Sequence, residues 1–152
     1  MTTRTAPLHY LEDLHVGQRF VSETHIIDVE QIKAFARQFD PQPFHLDDAT
    51  ARNTLFGGLV ASGWHTAAVT MRLLTGGGLP LAGGIIGAGG EIAWPAPTRP
   101  GDELHVESEV VSATPSRSRP DRGTAVVRCI TKNQKNETVQ ELMAKLIVPR
   151  RS

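Results

Sequence analysis

The sequence predicts an α+β fold in which an antiparallel sheet wraps one central helix. Three observations predict it. From Gly57 to Gly90 the only formally charged residue is Arg72, and the first half of that run carries helical periodicity. After Ile85 the pattern changes to apolar–polar alternation in successive segments. The resulting order is a strand, short helices, one buried helix and then about four antiparallel strands, a layered α+β arrangement.

Each element has a local reason. GQRFVSETHIID (17–28) is β-branched and aromatic and reads as one strand. In VEQIKAFARQF (29–39), Ile32, Phe35, Ala36 and Phe39 share a helical face, and Asp28 is a natural N-cap. Pro41 ends that helix, because the residue before a proline avoids helical geometry. Asp47 or Asp48 is placed to cap a short helix, DATARN. ASGWHTAAVTMRLLT (61–75) is the strongest helix, with Ser62 as N-cap and an apolar stripe of Trp64, Ala67, Ala68, Met71 and Leu74. With so little charge it should be enclosed by other elements. GGGLPLAGG (76–84) reads as a mobile connector.

The strands follow. Pro100-Gly101 signals a turn into DELHVESEVV, where Leu104, Val106 and Val110 alternate with His105, Glu107 and Glu109. SATPSRSRPDRG (112–123) reads as a polar hairpin loop. GTAVVRCITK and TVQELMAKLIV are joined by the turn NQKN, and Leu142, Ala144, Leu146 and Val148 form the apolar face of the last strand.

Composition narrows the function classes. Sixteen basic and sixteen acidic residues cancel, so no global charge favours nucleic acid or an anionic membrane. MTTRTAPLHY holds no apolar run suited to a signal peptide, and no segment offers the ~18 uninterrupted apolar residues of a membrane span. The lone Cys129 fits a reducing compartment, and the expectation is a soluble, cytoplasmic protein with Cys129 in its core. His9, His15, His25 and His105 show no metal-ligand spacing, so no metal site is expected. There is no G-x-G-x-x-G, Walker or G-x-S-x-G pattern. Arg117, Arg119 and Arg122 read as a solvated loop, and His65 as a packed, hydrogen-bonded core histidine.

FDPQPFHLD (39–47) needs a separate account. Asp40 falls at a helix C-terminus, where the macrodipole disfavours a carboxylate by a few tenths to ~1 kcal/mol. The Pro-Gln-Pro link stiffens the backbone, holding Asp40 and His45 in a fixed relation that suits an acid–base pair sharing one water. A rigid connector explains the same spacing, since Asp-Pro commonly starts turns. Downstream, Gly63 enters the first turn of the buried helix, where amide N–H groups lack intrahelical partners. Its amide, or that of Trp64, is placed to polarise a carbonyl as an oxyanion donor. Alternatively, Gly63 permits tight packing against the sheet.

FARQFDPQPFHLD, followed by FGGLVASGWHT, resembles the MaoC-like dehydratases, the (R)-specific enoyl-CoA hydratase group of the hotdog fold. Their pattern is Asp-x-Asn-Pro-x-His on a turn, then a helix entered through a glycine-containing segment. Asp40, Pro43 and His45 match it, and WPAPTRPGDELHVESEV is similar to the family's later strand pair with its Pro-x-x-x-Gly-Asp turn. The resemblance runs from about Leu11 to Val148 and implies that residues 1–152 form one hotdog domain. Gln42 stands where the family has Asn, Pro41 is an additional proline, and Ser62-Gly63-Trp64 replaces the His-Gly of many members.

The resemblance implies a hydro-lyase acting on a 2-enoyl or 3-hydroxyacyl thioester. Asp40 and His45 would be the acid–base pair, and Ser62, Gly63 and Trp64 the substrate-binding segment. It implies no bound cofactor, because the coenzyme A or carrier-protein arm belongs to the substrate. At least a homodimer is implied, with sheets joined edge to edge. Two other readings stay open: a hotdog thioesterase, and an acyl-thioester-binding partner subunit without turnover.

Overall fold

The computed structural model describes residues 7–151; residues 1–6, where most of the leader expectation falls, and residue 152 lie outside them. The elements are β1 (Arg19–Val21), β2 (His25–Ile26), α1 (Val29–Phe39), α2 (Pro43–Leu46), α3 (Asp48–Ala51) and α4 (Gly63–Leu73), then β3 (Ile86–Ala93), β4 (Glu103–Pro115), β5 (Arg122–Lys132) and β6 (Thr138–Pro149). The sheet runs β1-β4-β5-β6-β3, all antiparallel, with β2 also pairing with β4. It curls around α4, the hotdog arrangement expected. Val106 and Val110 of β4, Val127 and Cys129 of β5, and Leu146 and Val148 of β6 are buried on its concave face. Among the described residues no helix is long and apolar enough to cross a membrane.

The helix signals hold locally. Asp28 accepts the Gln31 N–H at 2.9 Å, Asp47 accepts the Thr50 N–H at 3.1 Å, and Ser62 caps α4. NQKN is a turn in which the Asn133 side chain accepts the N–H groups of Lys135 and Glu137, both at 3.0 Å.

Five expectations need correction. The segment 17–28 is two short strands, because Ser22 interrupts the ladder: its Oγ takes the Val106 N–H at 2.8 Å. A side chain thereby replaces a main-chain partner and the strand breaks. Phe39 is 67 % exposed, because α1 ends there and Asp40 leaves helical geometry (φ −153°, ψ 67°). In α4 the inward face is His65, Thr66, Val69, Thr70 and Leu73, whereas Trp64, Ala68 and Met71 are exposed. The connector 76–84 is partly core, with Leu79 and Leu81 buried and His9 bridged to Leu81. The loop after β4 is shorter than expected, since Pro115 pairs with Gly123.

α4 turns threonines inward because they are paired there. Thr70 Oγ1 lies 2.6 Å from Thr131 Oγ1 and accepts from Gln140 Nε2 at 3.1 Å, and Thr66 Oγ1 lies 2.9 Å from Thr98 Oγ1. Buried hydroxyls are tolerated when each has a partner.

The split strand gives a stability test. Ser22→Ala leaves the Val106 N–H without its partner and should lower unfolding free energy by ~1–3 kcal/mol in chemical denaturation. Glu23→Ala, at an exposed neighbouring position, should stay within ~0.5 kcal/mol. Equal effects from both would contradict the role given to Ser22.

Candidate active site

Three segments meet at one end of α4. The Asp40 N–H closes α1 on the Ala36 carbonyl at 2.9 Å, and the extended φ that follows swings its carboxylate towards the start of α4. The Pro-Gln-Pro link is more than a stiff turn: Pro43 opens a one-turn helix, α2, that carries His45. The Phe44 carbonyl accepts the Val60 N–H at 3.1 Å, which pins α2 to the strand-like segment entering α4.

The side chains then converge. His45 Nε2 lies 3.2 Å from Asp40 Oδ2, with side-chain exposures of 6 % and 17 %. Ser62 Oγ donates to the same Oδ2 at 2.7 Å, and Gln42 Nε2 donates to Oδ1 at 2.5 Å. His45 Nδ1 is 2.7 Å from the Val60 carbonyl oxygen. A carbonyl only accepts, so Nδ1 carries the proton and Nε2 is the nitrogen that gains or loses one at the site. Burial works against charge on Asp40, but the hydrogen bonds from Ser62 and Gln42, with His45 nearby, outweigh it and hold the carboxyl below its ordinary value.

A cavity of about 620 Å³ opens beside the pair. Asp40 and His45 lie at its polar part, while Phe44, Phe56, Trp94 and Val139 supply apolar wall. Gly63 also lines it, and its amide has no protein partner among the described residues. A Cβ on Gly63 would fall 2.7 Å from Trp94 Cε2, so only glycine lets the indole lie against the first turn of α4. Gly63 is therefore tightly packed, against Trp94. Trp94 is fixed by its Nε1–H, which donates to buried Gln140 at 2.9 Å. The Trp64 indole meets Trp94 edge to face at 5.1 Å, but the Trp64 N–H already donates to Ser62 Oγ at 3.2 Å. Of the two backbone amides considered as donors, Gly63 is the unengaged one.

Other candidates lie elsewhere. His65 stacks on Phe35 at 4.7 Å, and its buried Nδ1 has no hydrogen-bond partner, so it is packed without the expected bond. Burial, and secondarily His25, push its pKa down to about 4. Arg122 pairs with Asp121 at 2.9 Å, away from the cavity. Cys129 is fully buried, and burial raises its thiol pKa. Among the described residues no group of three or more His, Cys, Asp or Glu is clustered as a metal site. Sequence reading missed two contributors, Gln42 as a donor to Asp40 and the Val60 carbonyl behind His45. The amide side chain in Asp-Pro-Gln-Pro-x-His was a readable signal for the first; a backbone carbonyl carries no signal for the second.

Known proteins share this fold. The sequence profile described as MaoC like domain matches residues 14–133. The crystal structure of the MaoC-like dehydratase from Rhodospirillum rubrum superposes with a TM-score of 0.93 at 62% identity, covering 95% of this chain and 99% of that one. An uncharacterized protein of Bacillus subtilis, YdeM, is 32% identical over 143 residues, 92% of this chain and 99% of YdeM. A 3-hydroxybutyryl-CoA dehydratase of Methylorubrum extorquens is 32% identical over 110 residues, 72% of this chain and 69% of that protein. With the profile covering most of its length and the hotdog architecture in place, the chain belongs to the MaoC-like dehydratase family.

Proposed function

We propose that the protein interconverts a 2-enoyl thioester and its 3-hydroxyacyl hydrate, with Asp40 and His45 sharing one water. The observation that carries this reading is the 3.2 Å approach of His45 Nε2 to Asp40 Oδ2 beside a largely apolar cavity, with the imidazole proton fixed on Nδ1. In the hydration direction, Nε2 takes a proton from the water as its oxygen bonds to C3. The C2–C3 π pair moves into the thioester carbonyl, and the oxygen gains enolate charge facing the Gly63 amide. The enolate then collapses and C2 takes the proton held by the pair, which returns both groups to their starting state. Acid–base groups so placed supply ~10²–10⁴ in rate and one oxyanion donor ~10²–10³.

Within this reading Ser62 positions Asp40, Gly63 is the oxyanion donor, and the Trp64 indole is cavity wall. The α4 sequence GWHTAAVTMRL holds no carboxylate, which counts against the thioesterase alternative. A cytoplasmic homodimer completes the proposal. Its supports are the edge of β3, which among the described residues pairs only with β6, and the exposed Trp64 and Met71 of α4.

Three outcomes follow. Asp40→Asn and His45→Ala should each reduce crotonyl-CoA hydration by at least ~10² while leaving the thermal midpoint within a few degrees; full activity in either variant removes the pair from the mechanism. Gln42→Ala takes one donor from Asp40, so the Asp40 carboxyl should titrate at higher pH than in the wild type when followed by carbon-13 NMR. An unmoved carboxyl titration would show that Gln42 does not tune the carboxylate. Finally, because the folded pKa of Asp40 is depressed, its stabilising contribution is present above the ordinary value of 3.8 and lost as pH falls through the folded value. Denaturation from pH 6 to pH 3 should therefore show the wild type losing ground to Asp40→Asn on the acid side. Parallel curves would contradict this.

A further inference from the structure

One charged residue of the cavity wall takes no part in the proposed reaction. Arg99 lines the cavity from the turn that leads into β4. Its backbone is held firmly: the Arg99 N–H donates to Asp102 Oδ2 at 2.8 Å, and its carbonyl accepts the Asp102 N–H at 3.1 Å. The preceding residue is tied to the start of α4, since the Thr98 carbonyl accepts the Ala61 N–H at 2.9 Å and its hydroxyl meets Thr66.

Arg99 is exposed and its guanidinium passes by Gly58, where a Cβ would lie 3.6 Å from Nη1 and 3.5 Å from Asp48 Oδ1. Asp48 is already engaged, with Oδ2 receiving Arg52 Nε at 3.0 Å and Oδ1 receiving the Leu59 N–H at 3.0 Å. Arg99 forms no ion pair among the described residues, and neither do Arg37, Arg72, Arg117, Arg119 and Arg150, but of these six only Arg99 lines the cavity. Among the described residues it is the one Lys or Arg on the cavity wall. A planar fork of donors, fixed at its base and left without a carboxylate at the mouth of an apolar cavity, suits an anion brought by the ligand.

We propose that Arg99 binds a phosphate at the outer end of the substrate's pantetheine arm. The inference rests on the thioester reading above and adds the group that recognises the carrier. A phosphate ester at that end is common to coenzyme A and to the phosphopantetheine of a carrier protein, so the chemistry is shared and the source is left to the test.

The test is calorimetric titration of the wild type, Arg99→Gln and Arg99→Lys with coenzyme A, 4′-phosphopantetheine and pantetheine. Arg99→Gln should lose about tenfold more affinity for the phosphorylated ligands than for pantetheine, with Arg99→Lys losing less. Loss for both phosphorylated ligands assigns Arg99 to the 4′-phosphate common to both carriers. Loss for coenzyme A alone assigns it to the nucleotide's phosphates and makes coenzyme A the source. Equal losses for coenzyme A and pantetheine, no loss at all, or no coenzyme A binding by the wild type would each overturn the proposal. Hydration of crotonyl-pantetheine, which carries no phosphate, reads the reaction separately. Its absence would count against the acid–base reading whatever Arg99 binds.

Discussion

The Asp40 carboxylate is the point on which the site depends. It sits at the end of α1, where a negative charge is disfavoured by a few tenths to ~1 kcal/mol. Two donors from two segments answer that, Ser62 from the start of α4 and Gln42 from the proline link, with the His45 ring of α2 3.2 Å away. A hydrogen bond to a charged group contributes roughly 1.5–3 kcal/mol when well formed, so the donors prevail over the dipole. The same bonds join the end of α1 to the beginning of α4, and so place Gly63 beside the pair. They also hold the carboxyl below its ordinary value, which keeps Asp40 charged.

Packing beneath α4 shapes the rest of the cavity. Trp94 lies against Gly63 because Gln140 holds its indole N–H, Thr70 holds Gln140, and Thr131 meets Thr70. That buried chain of hydrogen bonds turns the threonines of α4 towards the sheet and leaves Trp64, Ala68 and Met71 outward. The polar network and the exposed apolar face are two consequences of one helix rotation. In the dimer proposed here, the outward face is the surface that a second copy has reason to cover.

Much of this was legible in the residues. Asp28, Asp47 and Ser62 cap the helices their positions indicated, and the alternation after Ile85 marked the sheet. Asp40, His45, Ser62 and Gly63 were named from spacing and resemblance, and the fold brings all four together. What failed has physical causes. Periodicity counts apolar residues and assigned α4 the wrong inward face, because Thr66 and Thr70 are buried there with hydrogen-bond partners. Propensity joined β1 to β2 because it cannot see Ser22 taking a ladder N–H. The Val60 carbonyl that sets the His45 tautomer is backbone and leaves no mark on residue type. Arg99 carries no mark in the sequence that sets it apart from other arginines, since its place on the cavity wall depends on the fold.

The central claim is that one water, held between Asp40 and His45, supplies both the oxygen added at C3 and the proton exchange at C2. The most direct measurement is the stereochemistry of crotonyl-CoA hydration in deuterium oxide, read by proton NMR of the 3-hydroxybutyryl product. A pair acting from one side predicts deuterium at C2 and hydroxyl at C3 added to the same face, giving a single diastereomer. Addition to opposite faces, or a scrambled C2 centre, would contradict the account.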